Sequence, residues 1–408
     1  MIKQIEGGVT AAKGFEAGAV AAQIKYKGRN DMAIVYSQTP CVAAGTFTTN
    51  VVKAAPVMWD KHIVEDCATM QAVIINSGIA NACTGAEGYG YCKATAEAAA
   101  KSLNVPSESV AVASTGVIGM QLPIERIVNG ISLLKESKGS SQEDGHNAAC
   151  AIMTTDTKPK EIAFEFEVSG AKCTIGGMCK GSGMIHPNMC TMLCFLTTDV
   201  KISKALLTKA LKNDVQDTFN MISVDGDTST NDTVLLMANG EAGNVEICEE
   251  NEDYQVFCEA LHAVMEGLSK KIAGDGEGCT CLFECQVKNA DTKHNARTLA
   301  KSVITSSLTK AAIFGHDANW GRILCALGYS GVNFDPEKVD IFFESKAGLL
   351  KIVENGVSTG YSEEKATEIL SQEYVTAVCD MKNGTESATA WGCDLTYEYV
   401  KINGDYRS

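Results

Sequence analysis

Lys180-Gly181-Ser182-Gly183-Met184-Ile185-His186-Pro187-Asn188-Met189-Cys190-Thr191-Met192-Leu193 lies near the middle of a chain of 408 residues and decides how the rest is read. Its glycines let the backbone take positive φ and approach other groups closely. The apolar run from Met192 to Leu196 reads as a buried strand. Thr191 therefore stands where a tight turn enters that strand. This is the geometry expected of a threonine that cuts the peptide bond before it and then works as an N-terminal nucleophile. A threonine hydroxyl is weak alone, but a free α-amine on the same residue, with an ordinary pKa of about 8, can serve as its base.

Around this stretch, short apolar strands alternate with amphipathic helices. Residues 32–37 and 71–76 read as buried strands, and 85–90 as a glycine-punctuated loop before an Ala-rich helix at 91–103. A short strand at 110–114 runs into Thr115-Gly116. Pro123 opens a helix carried by Ile124, Ile127, Val128, Ile131 and Leu134, and 139–145 reads as a polar loop. Ile162, Phe164, Phe166 and Val168 alternate with glutamates, a half-buried strand with a hairpin partner at 171–176. Helices are expected near 203–214, 255–272, 292–306, 319–327 and 362–371. Strands are expected at 281–287, 339–344, 349–353 and 374–380, with 395–402 as a terminal strand because it is rich in Tyr and β-branched residues. The pattern predicts an α/β layered protein without internal repeats or long linkers.

Composition narrows the class. Hydrophobic residues make up 45 % and charged residues 21 %, as in ordinary globular proteins. A net charge of −15 argues against nucleic acid and anionic membrane as partners. No apolar run approaches the roughly 20 residues of a membrane span, and Met1 to Glu6 lacks the apolar core of a signal peptide. Seventeen cysteines in no regular framework fit reduced thiols in a cytoplasm.

Further blocks recur along the chain. They include Gly8-Val9-Thr10-Ala11-Ala12-Lys13-Gly14-Phe15, Thr46-Phe47-Thr48-Thr49-Asn50, Asn76-Ser77-Gly78, Ser114-Thr115-Gly116-Val117-Ile118-Gly119, Ser223-Val224-Asp225-Gly226-Asp227-Thr228, Asp275-Gly276-Glu277-Gly278, Ile313-Phe314-Gly315-His316-Asp317, Asn319-Trp320-Gly321-Arg322 and Val400-Lys401-Ile402-Asn403. In order and spacing, over nearly the whole chain, they resemble the ornithine acetyltransferases, also called glutamate N-acetyltransferases, of arginine biosynthesis. Three positions depart from the family pattern: Cys190 where Ala is more frequent, Ile79 where Asn is common, and Ser408 where Thr is common. None removes a hydroxyl or charge that the chemistry needs.

The resemblance implies an N-terminal-nucleophile-like sandwich, with helices outside two stacked sheets and a smaller C-terminal α/β unit. Cleavage between Cys190 and Thr191 would give chains 1–190 and 191–408; a structural boundary is expected near 280. Thr191 would take acetyl from N-acetylornithine and pass it to glutamate, with acetyl-CoA as a further donor in some members. Thr115 and Gly116 resemble the family's oxyanion hole, where a hydroxyl and a backbone N–H stabilise the tetrahedral intermediate. Thr154, Lys180, Glu277, Asn403 and Ser408 match its substrate-binding positions along with Thr191. Lys180 suits a carboxylate and Glu277 an ammonium group. The resemblance further implies an α2β2 assembly in the cytoplasm, with no metal and no cofactor.

Other readings of the same residues exist. A related N-terminal-nucleophile aminopeptidase would use water as acceptor, and cleavage one bond earlier would make Cys190 the nucleophile. Asp225-Gly226-Asp227-Thr228 has the look of a phosphatase nucleophile motif, but no downstream acidic metal pair follows. It also lacks the closing Glu of a calcium loop. Cys279, Cys281 and Cys285 lack zinc spacing and read as small buried residues. His316 beside Asp317 imitates a base pair that this chemistry does not require.

Overall fold

The computed structural model describes residues 1–186 and 192–405. The first part of the chain runs β1 (Lys3–Ile5), β2 (Phe15–Val20), β3 (Met32–Phe47), α1 (Ala55–Asp66), β4 (Met70–Ile79), α2 (Ala86–Leu103), β5 (Val110–Val117), α3 (Ile124–Ser137) and α4 (Gln142–Ala151). Then come β6 (Lys160–Val168), β7 (Ala171–Lys180), β8 (Leu193–Thr198), α5 (Lys204–Asp214), β9 (Thr233–Ala238) and α6 (Glu252–Ala273). The last part holds β10 (Leu282–Ala290), α7 (Lys293–Thr305), α8 (Ser307–Phe314), α9 (Trp320–Gly328), β11 (Asp340–Ser345), β12 (Gly348–Glu354) and β13 (Val357–Ser358). It closes with α10 (Glu363–Leu370), β14 (Tyr374–Asp380), β15 (Glu386–Cys393) and α11 (Tyr397–Asp405).

Strands order β1-β6-β7-β8-β9-β3-β4-β5 in the larger sheet, with β2 also on β3. β3 is the corner. Its first half, Met32–Tyr36, pairs with β2 and β4, and its second half, Val42–Phe47, pairs with β9, with a register break between Tyr36 and Cys41. Bulged, long strands of this kind turn a sheet through a corner. Met178, Leu193, Phe195, Leu235 and Met237 from one side of that corner share a buried cluster with Val35, Ile74 and Ala113 from the other. The two halves therefore close over a common core, in the stacked arrangement expected.

Alternation along β8 and β9 loads both faces. Leu193, Phe195, Leu235 and Met237 face that core, while Cys194, Leu196, Val234 and Leu236 face a second one. The second core is built on α6, whose Phe257, Leu261, Val264 and Leu268 are fully buried. It extends to the smaller sheet, ordered β13-β12-β11-β14-β10-β15. Among the described residues no helix is long and apolar enough to cross a membrane.

Three expectations are corrected. Residues 395–402 are not a strand; Tyr397–Asp405 is helical. Alternating aromatics gave the segment strand character, but a strand needs a neighbour's hydrogen bonds whereas a helix supplies its own. The glycine loop at 85–90 is already the first turn and a half of α2. The polar loop 139–145 starts α4 at Gln142, because Ser141 and Asp144 form a reciprocal capping box.

Candidate active site

A cavity of about 170 Å³ lies where the ends of β4, β5 and β7 meet the starts of β8 and β9. Thr115, Gly116, Thr154, Lys180, Glu277 and Asn403 all line it, from five separate stretches of the chain. Ligand sites for drug-sized molecules run from roughly 300 Å³ upward, so this one is of amino-acid size. Cys190, Thr191 and Ser408 lie outside the described residues. Met192, covalently next to Thr191, lines the cavity.

The wall carrying Thr115 and Gly116 is the end of β5, paired in parallel with β4. Gly116 has φ +131°, and a Cβ there would stand 2.2 Å from the Gly78 carbonyl carbon. No side chain fits that position, so the backbone of both strands meets directly at the cavity edge. Asn231 ties this wall to β9, because its Nδ2 donates to the carbonyls of Ala80 at 2.6 Å and Ser114 at 2.8 Å.

Lys180 ends β7 opposite Leu193 of β8. It is buried, with Nζ 3.8 Å from Asp156 Oδ2. Asp156 is the hub of a buried network that the sequence did not reveal. Its Oδ1 accepts from Lys160 Nζ at 2.6 Å and from the Gly181 N–H at 2.7 Å, and its Oδ2 from the Thr154 N–H at 3.0 Å. Lys160 Nζ also donates to Asp275 Oδ2 at 2.6 Å. Burial alone would raise the Asp156 carboxyl, but the Lys180 and Lys160 ammonium groups hold it well below the usual carboxylate range. Burial disfavours the Lys160 charge, yet Asp156 and Asp275 push its pKa above the ordinary value. One network thus fixes Thr154, the β7 end and the turn that follows α6.

That turn delivers Glu277. Its N–H donates to the Ser182 carbonyl at 3.0 Å, and Ser182 Oγ donates to the Asp275 carbonyl at 2.6 Å. Asn403 Nδ2 then donates to Glu277 Oε2 at 2.7 Å, so α11 reaches back over the cavity. Gly183 lets Glu277 keep this position, because a Cβ there would lie 2.4 Å from the Glu277 carboxyl carbon and push the carboxylate aside. Lys180 and Glu277 give the cavity one cation and one anion, which suits a ligand bearing both a carboxylate and an ammonium.

Asp232 was also missed. It lines the cavity, is 1 % exposed, and its carboxyl receives the Met192 N–H. Met192 C=O in turn accepts the Thr233 N–H at 2.8 Å. The start of β9 thereby grips both sides of the residue after Thr191. Among the described residues Asp232 Oδ2 has no hydrogen-bond partner, and burial pushes the carboxyl well above its ordinary range. Only its place before an apolar strand hinted at it, and that signal is generic.

The remaining candidates resolve structurally. The Asp225 oxygens accept from the backbone N–H groups of Met184 at 2.6 Å, Ile185 at 2.8 Å and Asp227 at 3.2 Å. Asp225 thus braces the approach to residues 187–191 and is not a free phosphoryl acceptor. Cys281 and Cys285 are buried and Cys279 half-buried. His316 and Asp317 do not line the cavity.

Fold and cavity define a layered α/β protein with a small, doubly charged site at the mouth of its larger sheet. The chain belongs to the ArgJ family, whose model matches residues 16–408. It is 50 % identical over 397 residues to the arginine biosynthesis bifunctional protein ArgJ of Thermotoga neapolitana, covering 97 % of this chain and 99 % of that protein. It is 52 % identical over 401 residues to arginine biosynthesis bifunctional protein ArgJ 1 of Clostridium acetobutylicum, covering 98 % and 97 %. The crystal structure of the ArgJ protein from Bacillus halodurans is 44 % identical with a TM-score of 0.50, covering 52 % of this chain and 98 % of that one.

Proposed function

We propose that this protein is a self-processing acetyltransferase of arginine biosynthesis, acting in the cytoplasm as an α2β2 assembly. Thr191 Oγ attacks the Cys190 carbonyl, an N→O acyl shift follows, and hydrolysis leaves chains 1–190 and 191–408. In turnover Thr191 takes acetyl from N-acetylornithine, releases ornithine, and passes acetyl to glutamate. Thr115 and Gly116 hold the oxyanion in both steps. Lys180 binds the substrate carboxylate, while Glu277, oriented by Asn403, binds its ammonium, with Thr154 and Ser408 completing the contacts. Acetyl-CoA serves as a second donor.

One observation carries this reading. Six residues singled out by their likeness to the family, scattered from 115 to 403, converge on one amino-acid-sized cavity lined by the residue that follows Thr191. The clamp on Met192 by Asp232 and Thr233 fixes the residue that follows Thr191 at the cavity wall. Two further facts agree. The Bacillus halodurans chain is matched over 98 % of its length by about half of this one, as a processed half would be. The Thermotoga and Clostridium relatives carry the name bifunctional, which fits two donors at one site.

Intact-mass measurement of the freshly expressed, denatured protein beside Thr191→Ala tests the reading. Two fragments meeting at Cys190–Thr191, with the variant whole, are expected, together with glutamate-dependent release of ornithine from N-acetylornithine. A single full-length chain in the unmodified protein, or ornithine release indifferent to glutamate, would overturn it.

A further inference from the structure

The chain carries a net charge of −15, yet Lys25-Tyr26-Lys27-Gly28-Arg29 holds three cations and no carboxylate. The loop is held in shape. Asp31, fully buried, accepts the Ala22 N–H at 2.8 Å and the Ile24 N–H at 2.6 Å. Its carboxylate is thereby turned inward, away from the exposed Lys25 and Lys27. The Arg126 guanidinium, at the start of α3, donates to the Gln23 carbonyl and adds a fourth cation, with Glu125 as its exposed neighbour.

The loop packs against chain neighbours of the cavity lining at two places. A Cβ on Gly78 would stand 2.9 Å from Lys25 Cβ and 3.2 Å from the Tyr26 ring, and Gly78 is the residue that Gly116 packs against. Arg29 Nη2 donates to the Met153 carbonyl at 2.6 Å, immediately before Thr154. From the cavity toward this loop runs an exposed apolar stretch. Ile118 lines the cavity at 37 % exposure, Met120 is 40 % exposed, and the chain then enters α3 and reaches Arg126. The amino-acid-sized cavity has no room for a nucleotide, so a larger donor must lie outside it with only its acyl end inside.

We propose that this rim is the docking site of a nucleotide thioester donor of the coenzyme A class, with phosphates on Lys25, Lys27 and Arg126 and the methyls and methylenes of its thiol-bearing arm along Ile118 and Met120. The inference rests on the acetyltransferase reading of the same cavity. Thr191 Oγ forms the C–O bond to the acetyl carbon as the C–S bond breaks, and the thiol leaves with the hydroxyl proton. The acceptor amine then forms the C–N bond as the C–O bond breaks, and threonine regains a proton.

The test is Lys25→Glu/Lys27→Glu in the processed enzyme, assayed with acetyl-CoA and with N-acetylornithine as donors. KM for acetyl-CoA should rise roughly tenfold or more, as expected for reversing two charge contacts, while that for N-acetylornithine stays within about twofold. Adenosine 3′,5′-bisphosphate should compete with acetyl-CoA in the unmodified enzyme and far less in the variant. Equal changes for both donors, no change for either, or equal competition by inorganic phosphate would overturn the site. An unmodified enzyme that uses N-acetylornithine but not acetyl-CoA would overturn the site alone. One that uses neither would overturn the acetyltransferase reading with it.

Discussion

Replacing Lys160 by Met keeps the length of the side chain and removes its charge. Lys160 Nζ sits 2.6 Å from both Asp156 and Asp275, with side-chain exposures of 2 %, 0 % and 9 % for the three residues. Taking one partner from a buried ion pair leaves an uncompensated charge and costs about 3–5 kcal/mol, far above the roughly 0–1 kcal/mol of an exposed pair. Asp156 keeps the Thr154 and Gly181 N–H groups and Lys180, but Asp275 loses its cation. The expected loss is therefore about 3 kcal/mol, the lower end of that range. Urea unfolding on a Thr191→Ala background, where both chains stay single polypeptides, measures it directly. KM for the carboxylate-bearing substrate should also rise, because Lys180 becomes the nearest cation to Asp156 and is drawn from the cavity. The sign of the pH dependence follows from the two shifts. Asp156 is depressed, so its contribution is full above the unfolded carboxylate pKa of about 4 and fades as pH falls through the folded value. Lys160 is raised, so its contribution is full below about pH 10.4 and fades as pH rises through its folded value. Between those limits the gap between wild type and Lys160→Met should be flat. A loss under about 1 kcal/mol would refute the network as a buried, desolvated unit.

Two further outcomes follow from single contacts. Gly183→Ala places a methyl 2.4 Å from the Glu277 carboxyl carbon, so the carboxylate must swing off Asn403. The thermal midpoint should hardly move while KM for the amine substrate rises roughly 10- to 100-fold, the worth of a charged hydrogen bond; unchanged kinetics would refute the contact. Asp232 has a folded pKa above its unfolded one, so the stability tied to its protonated form is full below about pH 4 and declines as pH rises through the folded value. Asp232→Asn cannot ionise, and its stability relative to wild type should be greater at pH 7.5 than at pH 4. A difference independent of pH in urea unfolding would show that Asp232 does not bind its proton in the folded state.

Strands whose side chains alternate, such as Ile162 to Val168, and helices with a clear apolar face, such as α3 and α6, were legible in the order of residues alone. Their periods are local and survive without neighbours. The sequence also marked Thr115, Gly116, Lys180, Glu277 and Asn403 as candidates, because each belongs to an ordered run of short blocks; Thr154 matched the family pattern alone, with nothing in its neighbours to single it out. Such a block marked Thr191 too, on a stretch outside the described residues. Pairings across long separations came only with the folded chain. Lys160 meets Asp275 across 115 residues, and Asn403 meets Glu277 across 126, with no period to announce either. Asp232 gains its character from total burial beside Met192, and an aspartate before a strand is otherwise unremarked. The segment 395–402 carries strand-forming residues, yet from Tyr397 onward it is helical, and Asn403 on that helix reaches Glu277. Charge, burial and hydrogen bonding are properties of neighbours in space, and only the folded chain supplies them.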